Sequence, residues 1–171
     1  MRKCFYLTYV SISLLASCNQ QTATTASTSF DTAIVKKEVI AFMNKYQDLT
    51  RANDYAGIAT LYDSSGAAFV NLEKVDYESY DTIKSQYNKM SVDTIKFFKW
   101  QEPMIIDPIR MDIATVSTSY HLYIGSFNDT LKARYSSVLI KSTHGWKIKQ
   151  ETEMPEIMTV KKMLEFWENN K

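Results

Sequence analysis

Trp146-Lys147-Ile148-Lys149-Gln150-Glu151-Thr152-Glu153-Met154 alternates without a break. Successive residues of an extended chain point to opposite faces, so Trp146, Ile148, Gln150 and Thr152 share one side. Lys147, Lys149, Glu151 and Glu153 share the other. The pattern predicts a strand with one buried and one wet face. It also predicts that the inward polar groups of this strand are Gln150 and Thr152.

The residues before it extend the reading. Thr143-His144-Gly145 supplies a hairpin turn, with Gly where a positive φ is expected. Leu131 to Lys141 alternates again, Ala133, Tyr135, Ser137 and Leu139 against Lys132, Arg134, Ser136 and Val138. Asn128-Asp129 reads as another turn. Ile113 to Ile124 places Val116, Thr118, Tyr120 and Leu122 on one face, and Ile95 to Ile106 is an extended stretch rich in aromatic and β-branched residues.

Further upstream the period changes from two to that of a helix. Asp31 is an N-cap candidate, followed by Val35, Val39, Phe42, Tyr46 and Leu49, an apolar stripe running to about Ala52. Asn53-Asp54 ends that helix and caps a shorter one through Ile58, Leu61 and Tyr62. Ser64-Ser65-Gly66 breaks it, and Ala67 to Asn71 reads as a short strand. A third helix begins near Asp81, with Ile83, Tyr87 and Met90 on one face. Pro155 opens a closing helix whose Met163, Leu164, Phe166 and Trp167 dock on the same domain, on a partner or on a second copy. Helices followed by consecutive strands imply an α+β domain with helices on one face of a curved antiparallel sheet.

In this order the elements resemble the nuclear-transport-factor-2-like superfamily, which includes ketosteroid isomerases and polyketide cyclases of the SnoaL type. The resemblance runs from Asp31 to Met154 and rests on the long helix, Asn53-Asp54, Leu61-Tyr62-Asp63, the strand Ala67 to Asn71, and His144-Gly145-Trp146-Lys147-Ile148. It implies a cone, a bent sheet wrapped over helices with a pocket between them; residues 155–171 lie beyond the family's usual end. It also implies that dimers, where they form, pair through the sheet.

The isomerases of this family carry a tyrosine eight positions before the Asp that starts the second helix, and Tyr46 stands in that relation to Asp54. Such a tyrosine donates to a developing enolate oxygen. Their general base is an Asp at the end of the first short strand, where this chain has Asn71, and an amide does not abstract protons at ordinary pH. Their second oxyanion donor falls around Ser136 and Ser137. Many related domains place a pocket histidine after the final Trp-x-Ile; here those positions are Gln150 and Thr152, which bind ligands but are not bases. The balance leans away from catalysis. A lyase or isomerase, if present, would use Tyr46 with Asp63 or His121, although Asp63 also serves simply to end the short helix.

Tyr46, Tyr62, Phe69, Tyr87, Trp100, Tyr120, Tyr135 and Trp146 recur at core-facing positions. They make a packed core, or they line a cavity that, with Asn71, Gln150 and Thr152, orients a small apolar or amphipathic ligand. Three readings follow: a ligand or partner binder, a lyase or isomerase, and an interaction module whose cone is filled. Two histidines and no cysteine beyond Cys18 give no expected metal site. No Gly-rich phosphate loop points to a cofactor. A formal charge of +1 disfavours a nucleic-acid partner.

The N-terminus carries an address. Arg2-Lys3, a short apolar run and Leu15-Ala16-Ser17-Cys18 resemble a bacterial lipoprotein signal ending in its lipobox. That implies a signal peptide over 1–17, acylation of Cys18, and a polar tether over 18–30. The expected place is the bacterial cell envelope, with the domain held to a membrane through Cys18.

Overall fold

The computed structural model describes residues 30–70, 75–89, 95–125 and 129–169. The leader, Cys18, nearly all of the tether and Asn71 lie outside the described residues. Helix α1 (Thr32–Arg51) starts where Asp31 Oδ1 accepts from the backbone N–H of Ala33 at 2.8 Å and of Ile34 at 3.3 Å. Such a cap is worth about 1 kcal/mol. Its buried stripe is Val35, Val39, Phe42, Met43, Tyr46 and Thr50. Asn53 then turns the chain with φ 55. Its Oδ1 accepts from Ile95 N at 2.7 Å and its Nδ2 donates to Ile95 O at 3.0 Å, pinning this corner to the sheet.

Asp54 caps α2 (Tyr55–Ala59), accepting from Gly57 N at 2.7 Å. The helix is shorter than the sequence suggests. Leu61, Tyr62 and Asp63 leave it to run beside the last strand: Ile148 N donates to Leu61 O at 2.8 Å, and Asp63 N donates to Ile148 O at 3.0 Å. The apolar spacing of Leu61 and Tyr62 serves that pairing rather than another helical turn.

The remaining elements are β1 (Ala67–Val70), β2 (Val75–Glu78), α3 (Tyr80–Lys89), β3 (Ile95–Arg110), β4 (Ile113–Ile124), β5 (Asp129–Ser142), β6 (Gly145–Pro155) and α4 (Ile157–Asn169). Strand β2 is an addition to the sequence reading, and Pro155 closes β6 rather than opening α4. The six strands form one sheet in the order β2-β1-β6-β5-β4-β3. Strands β3 to β6 make an antiparallel meander, but β1 runs parallel to β6. The sheet is therefore mixed, not wholly antiparallel. The helical half of the chain enters beside the last strand, and the chain direction there is set by the crossover.

Helices cover one face of this sheet. Val39, Met43, Tyr62, Ile83, Val116, Tyr135, Leu139 and Ile148 are the most deeply buried large side chains. Helix α4 meets the rim, where Thr159 Oγ1 accepts from Lys132 N at 3.0 Å and donates to Lys132 O at 3.1 Å, and Lys162 pairs with Asp129. Of the helix residues singled out in the sequence, Leu164 is exposed, and the side chains of Met163, Phe166 and Trp167 lie outside the described residues. Among the described residues no helix is long and apolar enough to cross a membrane.

One irregularity positions the site. Leu139 pairs with Ile148 and Val138 with Gln150, leaving Lys149 as an extra residue in β6. A bulge of one residue inverts the faces of everything beyond it. Gln150 therefore points outward, and Glu151, only 4% exposed, points in beside Ser137. The expected inward positions of Gln150 and Thr152 are corrected to Glu151 and Glu153.

Candidate functional site

Lys149 itself holds the bulge. Its ammonium reaches Asp63 Oδ1 at 3.3 Å, Ser65 Oγ at 2.6 Å, Gly66 O at 3.0 Å and Tyr77 Oη at 3.0 Å, all in the loop after α2 and on β2. Asp63 is thus committed to an outward ion pair, with Ser65 N donating to it at 3.0 Å. Hydrogen bonds from Ser65 and Lys149 outweigh its partial burial and keep its carboxyl below the usual range. It takes no part in the cavity.

Past the bulge, β6 brings Glu151 and Glu153 to the wall of a cavity of about 470 Å³ between helices and sheet. Tyr46 and Thr50 enter from α1, Ile58 from α2, Phe69 from β1, Tyr87 from α3, Phe98 from β3 and Tyr120 from β4. The aromatic wall is continuous: Tyr46 lies 6.2 Å from Phe98 between ring centroids, and Phe98 lies 5.1 Å from Tyr120.

Tyr62, 1% exposed, donates its phenol proton to Glu151 Oε2. Its oxygen lies 2.7 Å from that of Tyr87. Because the Tyr62 proton is spent on the carboxylate, the proton in the second bond comes from Tyr87. Three further buried atoms of this cluster, Glu151 Oε1, Tyr135 Oη and Ser137 Oγ, make no hydrogen bond of full geometry, although the Tyr135 phenol lies close enough to Glu151 and Ser137 to act on both. Strand register places Ser137 directly opposite Glu151, and Tyr135 opposite Glu153.

Burial, reinforced by the charge of Glu153, pushes the Glu151 carboxyl up to about 8, against the opposing pull of the Tyr62 and Tyr135 phenols. Glu153 is raised as well, again by burial and against the Tyr120 phenol. Unlike Glu151, Glu153 is exposed, so its carboxyl is the better solvated of the two although both line the cavity. Burial also lifts the phenols of Tyr46, Tyr62, Tyr87, Tyr120 and Tyr135, which stay neutral.

Of the residues marked in the sequence, Tyr46, Phe69, Tyr87 and Tyr120 line the cavity, and Tyr62 and Tyr135 stand at Glu151. Trp100 packs one layer behind, 5.5 Å from Tyr46 and 4.8 Å from Tyr135, with Nε1 donating to Met43 O at 3.0 Å. Trp146 sits at the other end of the sheet, where Nε1 donates to Glu38 Oε2 at 3.0 Å under the ammonium of Lys141. Gln150 and Thr152 are not in the cavity wall. His121 pairs across the sheet with Lys99 and Lys132, on the face opposite Tyr120 and away from the cavity. Glu151 and Glu153 were missed because the strand pattern assigns them to solvent.

A second hollow, about 700 Å³, is a more open groove between the start of α1 and the β3–β4 and β5–β6 turns. Its Glu38 is already engaged by Lys141 and Trp146, whose hydrogen bonds lower its carboxyl. It offers no comparable set of unpaired groups. Among the described residues no three His, Cys, Asp or Glu side chains converge to hold a metal ion.

No protein-family model and no curated protein matches the sequence. Solved structures do. An NTF2-like protein from Cytophaga hutchinsonii superposes with a TM-score of 0.59 at 15% identity, over 71% of this chain and 98% of the other. A protein of Parabacteroides distasonis provisionally named a ketosteroid isomerase gives 0.56 at 16%, over 70% and 86%. One of Novosphingobium aromaticivorans, provisionally named a scytalone dehydratase, gives 0.59 at 12%, over 73% and 86%. Identities this low carry the fold and nothing finer: the chain has the α+β, nuclear-transport-factor-2-like fold.

Proposed function

We propose that the cone binds a small, largely apolar molecule with one polar end, its body among Tyr46, Phe69, Phe98 and Tyr120 and its polar end at Glu151. The supporting observation is the buried Glu151 carboxyl in the wall of an aromatic cavity, with Oε2 held by Tyr62 and Oε1 without a hydrogen bond of full geometry. Buried polar atoms are ordinarily paired, and a ligand group can complete them. A volume of about 470 Å³ falls within the range of small-molecule pockets and speaks against a filled cone. The lipobox adds that this binding takes place in the cell envelope, on a domain anchored through Cys18.

Catalysis is the second reading, and Glu151 favours it. A carboxyl titrating near 8 between phenol donors has the properties of a general acid or base at neutral pH, which Asn71 lacks. The reaction class would be a lyase or isomerase step, proton transfer at carbon with a phenol supporting the developing oxyanion.

Native mass spectrometry of the protein purified from the envelope tests the binding reading. A reproducible extra mass, released on denaturation and lost when Ile58→Trp fills the cavity, is the expected result. A bare mass that persists through incubation with envelope extracts would overturn the binding reading and leave the catalytic one and a module acting through its outer surfaces, such as a homodimer formed through the sheet.

A further inference from the structure

We infer that the ligand is an organic monocation, an amine or quaternary ammonium on an apolar body, taken in preference to neutral and anionic molecules of similar size. This rests on the ligand-binding reading and narrows it by charge.

The charged side chains in the described cavity wall are Glu151 and Glu153, both acidic and both on the inward face of β6. Nearby basic groups are turned to other work. Arg51 Nε donates to Phe98 O at 2.7 Å, and Lys149 is bound outside at Asp63. An anion entering here meets two carboxyls and no described cation in the wall. A cation meets two carboxyls and the faces of Tyr46, Phe69, Phe98 and Tyr120, and aromatic rings attract cations most strongly where water is excluded.

The hydrogen-bond inventory agrees. Tyr62 occupies Glu151 Oε2, whereas Oε1 makes no hydrogen bond of full geometry and has only the Tyr135 phenol nearby. An ionised carboxylate only accepts, so Oε1 requires a donor or a positive charge. In the free protein burial keeps a proton on the Glu151 carboxyl at neutral pH; a cation bound beside the two carboxyls favours the ionised form instead. The other titratable groups facing the pair are Tyr46 on α1, Tyr62 after α2, Tyr87 on α3, Tyr120 on β4 and Tyr135 on β5, all phenols that remain neutral. The exchange should therefore release a proton from the carboxyl pair.

Calorimetry at neutral pH with three probes of one aromatic body tests this: benzyltrimethylammonium, benzyl alcohol and benzoate. The cation is expected to bind about ten- to thirtyfold more tightly than the alcohol, with benzoate weakest. Titration in buffers of different ionisation enthalpy should show proton release with the cation alone. Glu151→Gln and Glu153→Gln, each close in shape to the protonated acid, should both erode the cation's advantage. An alcohol that binds as well as the cation, or a preference untouched by both substitutions, overturns the charge assignment and leaves the ligand-binding reading standing. A cavity that takes none of the three probes overturns both.

Discussion

Tyr62 donates its phenol proton to Glu151, 89 residues further along the chain, and so ties the end of the helical half to the inner face of β6. The contact requires the bulge at Lys149, because a regular strand would send Glu151 to the opposite face. A buried carboxyl with one satisfied oxygen and one unsatisfied oxygen results, and its titration is the most accessible property of the site.

Stability should fall as pH rises. The Glu151 carboxyl stands near 8 in the fold against an ordinary value of 4.5. Between these values the folded chain binds more protons than the unfolded one. The contribution is full below the unfolded value and is lost as pH rises through the folded one. Linkage puts the loss at roughly 3–5 kcal/mol. Urea midpoints are expected to drop between about pH 5 and pH 9, and Glu151→Gln should flatten the profile and stabilise the protein at its alkaline end. Parallel profiles for the two proteins would rule out a buried titration at this position.

Tyr62→Phe should act on the same group from the other side. It removes a hydrogen bond to a buried carboxyl, a loss of about 1–3 kcal/mol. Because the phenol favours the ionised form, its removal should push Glu151 higher still. Infrared spectroscopy reads this directly: the C=O band of the protonated acid should persist to higher pH than in the unaltered protein. A band that disappears at lower pH would reverse the sign of the argument.

Deleting Lys149 separates the bulge from a regular strand. With the extra residue gone, Ile148 still points in, Gln150 out and Glu151 in, so the titration near 8 should survive. The lost contacts to Asp63, Ser65 and Tyr77 are partly exposed and should cost no more than about 1–2 kcal/mol. If β6 alternated regularly, as its sequence suggests, the deletion would swap its faces and change the titration altogether. The pH profile of unfolding distinguishes these outcomes.

That contrast shows where the sequence was legible. The stripe from Val35 to Tyr46, the caps at Asp31 and Asp54 and the meander from β3 to β6 are written in local spacing, and each formed where the spacing placed it. The bulge is not local. What holds Lys149 out of register is Asp63, 86 residues earlier, and strand alternation carries no sign of an inserted residue. Leu61 and Tyr62 fit a helical period and a strand edge equally well, so their pairing with Ile148 depended on the finished sheet. Tyr46, Phe69, Tyr87 and Tyr120 stood out in the sequence, but Phe98 did not, Trp100 and Trp146 proved to lie outside the wall, and the acidic side was hidden by one residue of phase.

The N-terminal address can be tested independently of the cone. Arg2-Lys3 and Leu15-Ala16-Ser17-Cys18 precede a polar stretch of sequence, and the first capping residue of the fold is Asp31. Acyl chains on Cys18 would contribute about 0.8 kcal/mol per buried methylene, and two or more chains give stable attachment where one does not. Cys18→Ala should therefore move the protein from the membrane fraction to the soluble fraction. Its urea midpoint should stay the same, because residue 18 lies well before the first helix. Metabolic labelling with an alkyne fatty acid should mark the unaltered protein and leave the variant blank. A variant that still sediments with membranes would show that the domain, rather than a lipid on Cys18, provides the attachment.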